Sequence, residues 1–329
     1  MADTDLDDQL RRSLVSAWHQ YLVTLDPIRP DLFRYCRRLT GNLWDAEDLV
    51  QETLLKAFAK LSHVLYSIKS PRAYLLRIAS NLWIDNLRGR ATEVAALASG
   101  GSELAVGISP APPPSQATEV RDAAAALLQH TAPQERAALL LVEIFDMSVD
   151  EAADILGTTT GATKSALHRA RTRLKDAAAH PARPRPSRAL LDRFVDRYNA
   201  RDLPALLALM RDDATIEMHG FETEIGREGF ARERGWFHHN FYNPVDGSPT
   251  QARWQIAEVE NESVVLVFGG MADEQTLTSV MRIEEAEARV QRIVVYALCP
   301  DVVREVGDAL GHPTMTLGYH FPFDVSAMP

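Results

Sequence analysis

At 329 residues the chain is longer than one typical domain, so its length predicts two or three domains, each able to bury a core. Hydrophobic residues make up 46% and charged residues 24%, and no apolar run is long enough to span a bilayer. The acidic first 12 residues lack an apolar stretch with a cleavage site, which predicts a protein that stays in the cytoplasm. Cys36 and Cys299 are the only cysteines and lie far apart, which argues against a disulfide framework or a zinc site. We therefore expect two buried thiols, no cofactor and no metal.

Charge is distributed unevenly along the chain. The formal net charge of −10 argues against a protein that coats nucleic acid. Residues 1–180 are nearly balanced, with 20 Lys and Arg against 22 Asp and Glu, whereas residues 187–329 hold 13 against 23. The acidity therefore belongs to the C-terminal part, and the basic residues of the N-terminal part occur in local clusters.

Two helical segments are predicted before the first major composition change. Over residues 49–61, apolar residues recur at helical spacing, while Asp48, Gln51, Glu52 and Leu55 share another, exposed and acidic face. The helix at about 71–89 carries a stripe of Tyr74, Arg77, Asn81 and Arg88. An aromatic and basic stripe suits base stacking and phosphate pairing, although a solvated helix face is the simpler alternative.

A helix-turn-helix is predicted from Ser148 to Leu174. Gly157 permits the left-handed turn, and the Thr159 hydroxyl can cap the second helix. The second helix is basic and free of acidic residues between Thr158 and Lys175, which suits the major groove. A helical hairpin with a solvated basic face is the alternative. The candidate DNA-contacting residues are Thr159, Thr160, Lys164, Ser165, His168, Arg169, Arg171 and Arg173.

This element resembles domain 4 of extracytoplasmic-function sigma factors, a group of RNA polymerase sigma factors of the sigma-70 family. Residues Leu156 to Arg171 follow the family's pattern. The chain departs from it at Thr159, Ala162, Thr163 and Ala166, and the last of these removes an arginine that is common there. The resemblance implies recognition of a −35 promoter element with an unusual preference.

Two further stretches resemble the same family. Residues Leu39 to Thr53 resemble region 2.2, which implies that Asp45, Asp48, Gln51 and Glu52 bind core RNA polymerase, a partner made of β and β′ subunits. Residues Pro71 to Arg88 resemble regions 2.3 and 2.4, which implies that the Tyr74 stripe contacts the −10 element of promoter DNA, with 62–70 as a base-capturing loop.

The C-terminal part changes to helices followed by strands. Strands are predicted at 214–219, 252–259, 263–268, 276–283 and 289–298, which indicates an α+β cone. Residues Phe194 to Leu203 and Asp213 to Met218 resemble the SnoaL-like superfamily, also called nuclear-transport-factor-two-like. The fold class expected is therefore multidomain, with all-α sigma domains 2 and 4 (helix-turn-helix) followed by an α+β SnoaL-like cone domain.

The predicted boundaries follow the composition changes. The segments are 8–92 for sigma domain 2, 93–118 for a flexible linker, 119–178 for sigma domain 4, 179–187 for a Pro/Arg linker, 188–300 for the SnoaL-like regulatory domain and 301–329 for a C-terminal tail.

Three functions stay open at this point. The expected function is a sigma factor that is not an enzyme and that its acidic C-terminal domain regulates in cis, with a small-molecule ligand as a candidate partner. A helix-turn-helix activator that binds promoters unaided is one rival, and a pocket enzyme is the other. The candidate pocket residues are Glu217, His219, Trp236, Tyr242 and Tyr296, with His238 and His239 nearby.

Overall fold

The structure is a computed structural model that describes residues 13, 16–61, 70–99, 132–173, 186–220, 222–230, 241, 251–269, 276–316 and 318. The chain divides into two compact units. One unit comprises residues 27–182, and the other joins residues up to Asp26 to residues 183–329. Within the second unit, α1 spans residues 16–25 and lies next to the C-terminal domain in space.

Three long helices begin the unit of residues 27–182. They are α2 (Arg29–Thr40), α3 (Leu43–Leu61) and α4 (Pro71–Ser99). Helix α2 ends at Gly41, which adopts a left-handed φ of 73° and donates its N–H to the Arg37 carbonyl at 3.0 Å. The Asn42 side-chain oxygen then accepts from the backbone N–H groups of Trp44 and Asp45, both at 2.9 Å, and caps α3.

Buried polar links join these three helices. Arg29 and Glu47, which are 1% and 0% exposed, form an ion pair between α2 and α3. Tyr35 on α2 contacts the Ser80 hydroxyl on α4 at 2.7 Å, and burial raises the pKa of the Tyr35 phenol above its usual range. Cys36 is a buried free thiol, as the sequence predicts. Because each link satisfies a polar group away from water, the register between helices is specified.

Further helices of this unit lie between residues 132 and 173. They are α5 (Pro133–Leu139), a π-helical turn (Leu140–Ile144), α6 (Val149–Leu156) and α7 (Thr160–Arg173). Arg136 on α5 is 6% exposed and donates to the Leu39 carbonyl at 2.7 Å. Its guanidinium lies 5.0 Å from the centre of the Trp83 ring, and burial lowers the pKa of Arg136 to about 10. Arg136 thus ties α5 to α2 and α4.

A six-stranded sheet forms the C-terminal domain. After α8 (Arg188–Asn199) and α9 (Leu203–Leu207) come β1 (Met210–Met218), β2 (Glu222–Ile225), α10 (Arg227–Phe230), β3 (Arg253–Val259), β4 (Glu262–Phe268), β5 (Leu277–Ala286), β6 (Arg289–Val295) and α11 (Pro300–Leu310). The strand order is β2-β1-β6-β5-β4-β3, and every neighbouring pair is antiparallel except β1 and β6.

One face of the sheet forms the core with α8 and α9. The Tyr198 and Trp254 rings stack with centroids 3.5 Å apart, and the Asn199 side chain holds the Trp254 backbone through bonds of 2.9 and 3.0 Å. The opposite face carries Glu217, Val294 and Arg282, which pair across β1, β6 and β5 in one row. Because side chains alternate along a strand, these residues point away from the core.

The expected fold class is confirmed, since helical domains precede an α+β domain. All five predicted strands overlap observed ones, whereas β2 is unpredicted. The tail is predicted over 301–329, whereas in the structure Pro300 begins α11, which continues to Leu310 with Val302, Val303 and Val306 buried. Helix α4 also continues to Ser99, beyond the predicted start of the linker at residue 93.

Within the described residues, no helix is both long and apolar enough to cross a membrane.

Candidate nucleic-acid and polymerase interfaces

The helix-turn-helix forms as the sequence predicts. Ser148 caps α6 by accepting from the Glu151 N–H at 3.2 Å, and the Glu151 carboxylate accepts from the Ser148 N–H at 2.9 Å. Gly157 ends α6 at a φ of 62°, and the Thr159 hydroxyl accepts from the Ala162 N–H at 3.1 Å at the start of α7. Both helix ends of the turn are therefore fixed by capping, which sets the direction of α7.

Helix α7 presents a basic, exposed face. Thr163, Ala166, Leu167 and Ala170 are buried. The exposed members of the candidate set are Thr159, Lys164, Ser165, His168, Arg169 and Arg171, and Thr160 is half-buried. Arg173 lies in α7, but its side chain is outside the described residues. The geometry therefore places the described candidates on one helix that is open to solvent.

Two of the basic side chains are paired with carboxylates. Arg169 donates to Glu135 at 2.7 Å, and Arg171 forms an ion pair with Glu143. Glu135 also accepts from the Ala132 N–H at 3.3 Å, so it caps α5 while holding Arg169. A phosphate would have to compete with these carboxylates for the two arginines. Lys164, on the N-terminal half of α7 that enters the groove in helix-turn-helix proteins, forms no such pair with an acidic residue in the described chain.

The candidate polymerase-binding face on α3 is only partly as predicted. Asp48 and Glu52 are exposed, and Asp45 is half-buried near the helix start. Gln51 is 3% exposed and donates to Glu47 at 2.7 Å, so its expected place on the exposed face is wrong. The buried Glu47 carboxylate draws the Gln51 amide inward, because an ion pair in the interior needs further donors. The exposed acidic face therefore consists of Asp48 and Glu52.

The candidate −10 residues on α4 differ in their exposure to solvent. Arg77 and Asn81 are exposed, whereas Tyr74 is half-buried with its hydroxyl enclosed. Arg77 donates to the Asp154 carbonyl on α6 at 2.6 Å, a group near the C-terminal end of that helix. The Arg88 side chain and the predicted base-capturing loop, except Ser70, lie outside the described residues. In this conformation the Arg77 guanidinium is thus already bound within the protein.

A polar cluster lies on the face of the C-terminal sheet opposite α8 and α9, where His219 and Tyr296 are buried. His219 Nδ1 contacts Glu217 Oε1 at 2.9 Å, and Arg292 donates to the other Glu217 oxygen at 2.5 Å. The Tyr296 ring is 5.2 Å from the His219 ring, and Arg282 reaches the Tyr296 hydroxyl at 3.4 Å. Three of the predicted pocket residues, Glu217, His219 and Tyr296, are therefore brought together. Trp236, His238, His239 and Tyr242 lie outside the described residues.

The electrostatics of this cluster hold Glu217 in its charged form. The hydrogen bond from His219 lowers the pKa of Glu217 most, partial burial opposes this, and Arg292 lowers the pKa of Glu217 further, to about 2. A carboxylate with so low a pKa is a weak base, because its conjugate acid loses its proton readily. Within the described residues no group of side chains forms a metal site.

Sequence reasoning missed Arg292 and Arg282 as members of the cluster. Arg292 lies 75 residues from Glu217 and reaches it because β1 and β6 pair in parallel. A parallel pairing between the first and last strands of a sheet leaves no local sequence signal. The alternation of Arg292, Val294 and Tyr296 in the predicted strand 289–298 is a sequence signal that could have placed them on one face.

Comparison with known protein families identifies both helical domains. The Sigma-70 region 2 family matches residues 26–93, and the Sigma-70, region 4 family matches residues 121–174. The ECF RNA polymerase sigma factor EcfG of Rhodopseudomonas palustris is 35% identical over 146 residues, which cover 44% of this chain and 77% of EcfG. The chain belongs to the extracytoplasmic-function sigma factors.

Other similar proteins extend over different parts of this sigma factor. SigG of Mycobacterium tuberculosis, an ECF RNA polymerase sigma factor, is 35% identical over 222 residues, or 59% of this chain and 60% of SigG. The chain thus spans less than two thirds of the length of SigG. A solved NTF-2 like protein of unknown function from Burkholderia xenovorans is similar to 33% of this chain, with 19% identity, a TM-score of 0.25 and coverage of 80% of that chain.

Proposed function

We propose that this protein binds core RNA polymerase through its β and β′ subunits and directs promoter-specific transcription initiation, under the control of its own C-terminal SnoaL-like domain. The observation that carries the proposal is the capped helix-turn-helix whose second helix exposes Lys164 and Ser165 toward solvent. A lysine at that place can pair with phosphate or guanine, and the neighbouring hydroxyl can bond a base edge.

The polymerase-binding role rests on the acidic face of α3. Asp48 and Glu52 are one turn apart and exposed, so both can meet basic side chains of a partner. Charge pairs at the rim of an interface set the register and the association rate more than the affinity. Asp45, half-buried beside the Asn42 cap, is placed to extend this face.

The contacts of three arginines predict that promoter binding by this protein depends on core polymerase. Arg77 donates to a carbonyl of α6, while Arg169 and Arg171 are paired with glutamates. The free protein therefore offers fewer basic groups to DNA than its sequence suggests, and non-specific affinity scales with the number of phosphates neutralised. We expect weak promoter binding by the protein alone, which separates this proposal from an activator that binds operators unaided.

The role proposed for the C-terminal domain is regulatory and not catalytic. Glu217, the carboxylate nearest to His219, is held in an ion pair with Arg292 at a pKa of about 2. A small-molecule ligand of this domain remains a candidate partner. The acidic domain is tethered to the helix-turn-helix by the short Pro/Arg linker, so its effective concentration near the sigma domains is high.

The test is transcription in vitro by core polymerase on a promoter library, with the full chain and with a Lys164→Ala variant. The proposal predicts promoter-specific initiation that requires the protein and a loss of −35-dependent output in the variant. Arg193→Ala, which removes an exposed basic side chain on α8 outside the helix-turn-helix, is the control and should leave output unchanged. Tight operator binding without polymerase, with no initiation, would instead support the activator.

A further inference from the structure

The N-terminal helix α1 is bound to the C-terminal domain through Trp18 and Gly220, which lie 202 residues apart in sequence. Trp18 Nε1 donates a hydrogen bond to the Gly220 carbonyl at 3.0 Å. Leu22, one turn further along α1, is 1% exposed. The Asp26 carboxylate, just after α1, lies 3.9 Å from where a side chain at Gly318 would begin. Helix α1 therefore belongs to the same compact unit as residues 183–329.

The acceptor of this bond lies directly beside the polar cluster. Gly220 follows His219 at the end of β1 and has a φ of 80°, a left-handed conformation that turns the chain away from the sheet. The His219 N–H donates to the Val295 carbonyl at 2.9 Å, which fixes this turn to β6. A rearrangement of the Glu217, His219 and Arg292 contacts would therefore move the carbonyl that Trp18 binds.

The other end of α1 leads into the sigma domains. Asp26 is the last residue of the unit that contains α1, and Pro27 begins the other unit. The match to Sigma-70 region 2 begins at residue 26, so α1 precedes the matched segment. The C-terminal domain is thus connected to the sigma domains at both of their ends, through α1 and through the 179–187 linker.

We propose that the C-terminal domain regulates the sigma domains by holding α1, with Trp18 as the anchoring side chain, so that release of α1 changes polymerase engagement. This inference rests on the proposed sigma function. The route of regulation is specific, because the segment that binds the surface around Gly220 is α1 of the same chain. Because the contact is intramolecular, even a weak bond keeps α1 in place, and a modest change at Gly220 can release it.

The contact can be weakened in graded steps in the full chain. Trp18→Phe retains an aromatic ring but removes the N–H donor, and a net hydrogen bond of this kind corresponds to a factor of about 2 to 10 in the opening equilibrium. Trp18→Ala also removes the ring and should increase opening by more than about tenfold. Gln20→Ala is the matched control, since Gln20 is exposed on the same helix.

Two measurements on each variant test whether Trp18 holds α1 and whether release of α1 changes initiation. Hydrogen exchange of residues 16–25 should accelerate in the order Gln20→Ala, Trp18→Phe, Trp18→Ala, while β4 and β5 keep wild-type rates. Initiation by core polymerase should change at least threefold in Trp18→Ala, in the same direction but less in Trp18→Phe, and not in Gln20→Ala. If Trp18→Ala fails to fold, Trp18→Phe carries both comparisons.

Several results would overturn the inference. Unchanged exchange of residues 16–25 in both Trp18 variants would show that Trp18 does not hold α1. Accelerated exchange with unchanged initiation would show that α1 is held without regulatory effect. Absence of initiation by the wild-type protein would contradict the sigma function itself, and the exchange data would still report separately whether α1 is bound.

Discussion

Glu217→Gln tests the electrostatics of the C-terminal domain. The substitution keeps the size of the side chain but removes the charge that faces His219 and Arg292. A fall of the pKa from its ordinary 4.5 to about 2 corresponds to about 3 kcal/mol of stabilisation. The Arg292 side chain is 41% exposed, so solvent screening reduces this, and we expect a loss of about 1 to 2 kcal/mol at pH 7.

The pH dependence has a definite sign. Because the folded-state pKa of Glu217 is depressed, its contribution is complete above pH 4.5 and is lost as the pH falls toward 2. The difference in unfolding free energy between wild type and Glu217→Gln should therefore shrink by about half at pH 3. Urea unfolding followed by near-UV circular dichroism, which reports the Tyr198 and Trp254 stack, measures it.

The control for this prediction is Glu284→Gln. Glu284 also pairs with Arg292, at 3.1 Å, but its side chain is 47% exposed, so its removal should cost less than about 0.5 kcal/mol. Equal stability of wild type and Glu217→Gln at pH 7, or a difference that does not change between pH 7 and pH 3, would refute the reasoning.

Three further predictions concern the helical unit. Arg136→Met should lower its unfolding free energy by about 1 to 3 kcal/mol in urea titrations, because the Leu39 carbonyl loses its donor; unchanged stability would contradict this. Gly157→Ala should cost about 1 kcal/mol through its left-handed φ alone, since nothing lies within 4 Å of the added carbon, whereas Gly161→Ala should be neutral or stabilising; equal effects in thermal melts would contradict this. Lys164→Ala should reduce the salt dependence of promoter binding by the polymerase complex by about one unit in the log–log slope, and an unchanged slope would exclude a phosphate contact.

The helical domains could be predicted in most respects because their signals are local. The Gly157 turn, the Thr159 cap and the buried stripe of Thr163, Leu167 and Ala170 all depend on residues at most four positions from their neighbours in sequence. The burial of Gln51 could not be predicted, since it depends on the Glu47 carboxylate, which is itself held by Arg29 from another helix. Amphipathic spacing predicts which helix face is exposed. A buried ion pair can still draw a polar residue at the edge of that face into the interior, as Glu47 does with Gln51.

The α+β fold class of the C-terminal domain could be predicted from the sequence, whereas the cluster around Glu217 could be predicted only in part. Alternating apolar residues identified the strands from Arg253 onward, whose pairing is between neighbours in sequence. The cluster around Glu217 depends on the parallel pairing of β1 and β6, and the Trp18 contact depends on the packing of the N-terminal helix. Contacts between residues so distant in sequence are set by topology and have no periodic signature.

The most direct test of the central claim is promoter-specific initiation by core polymerase in the presence and absence of this protein, with Asp48→Lys and Glu52→Lys variants alongside. The account predicts initiation from a defined subset of promoters with wild type, and slower association with core and reduced initiation when either exposed acid on α3 is reversed. Initiation that does not depend on the protein, or wild-type core association and initiation in both charge-reversal variants, would contradict it.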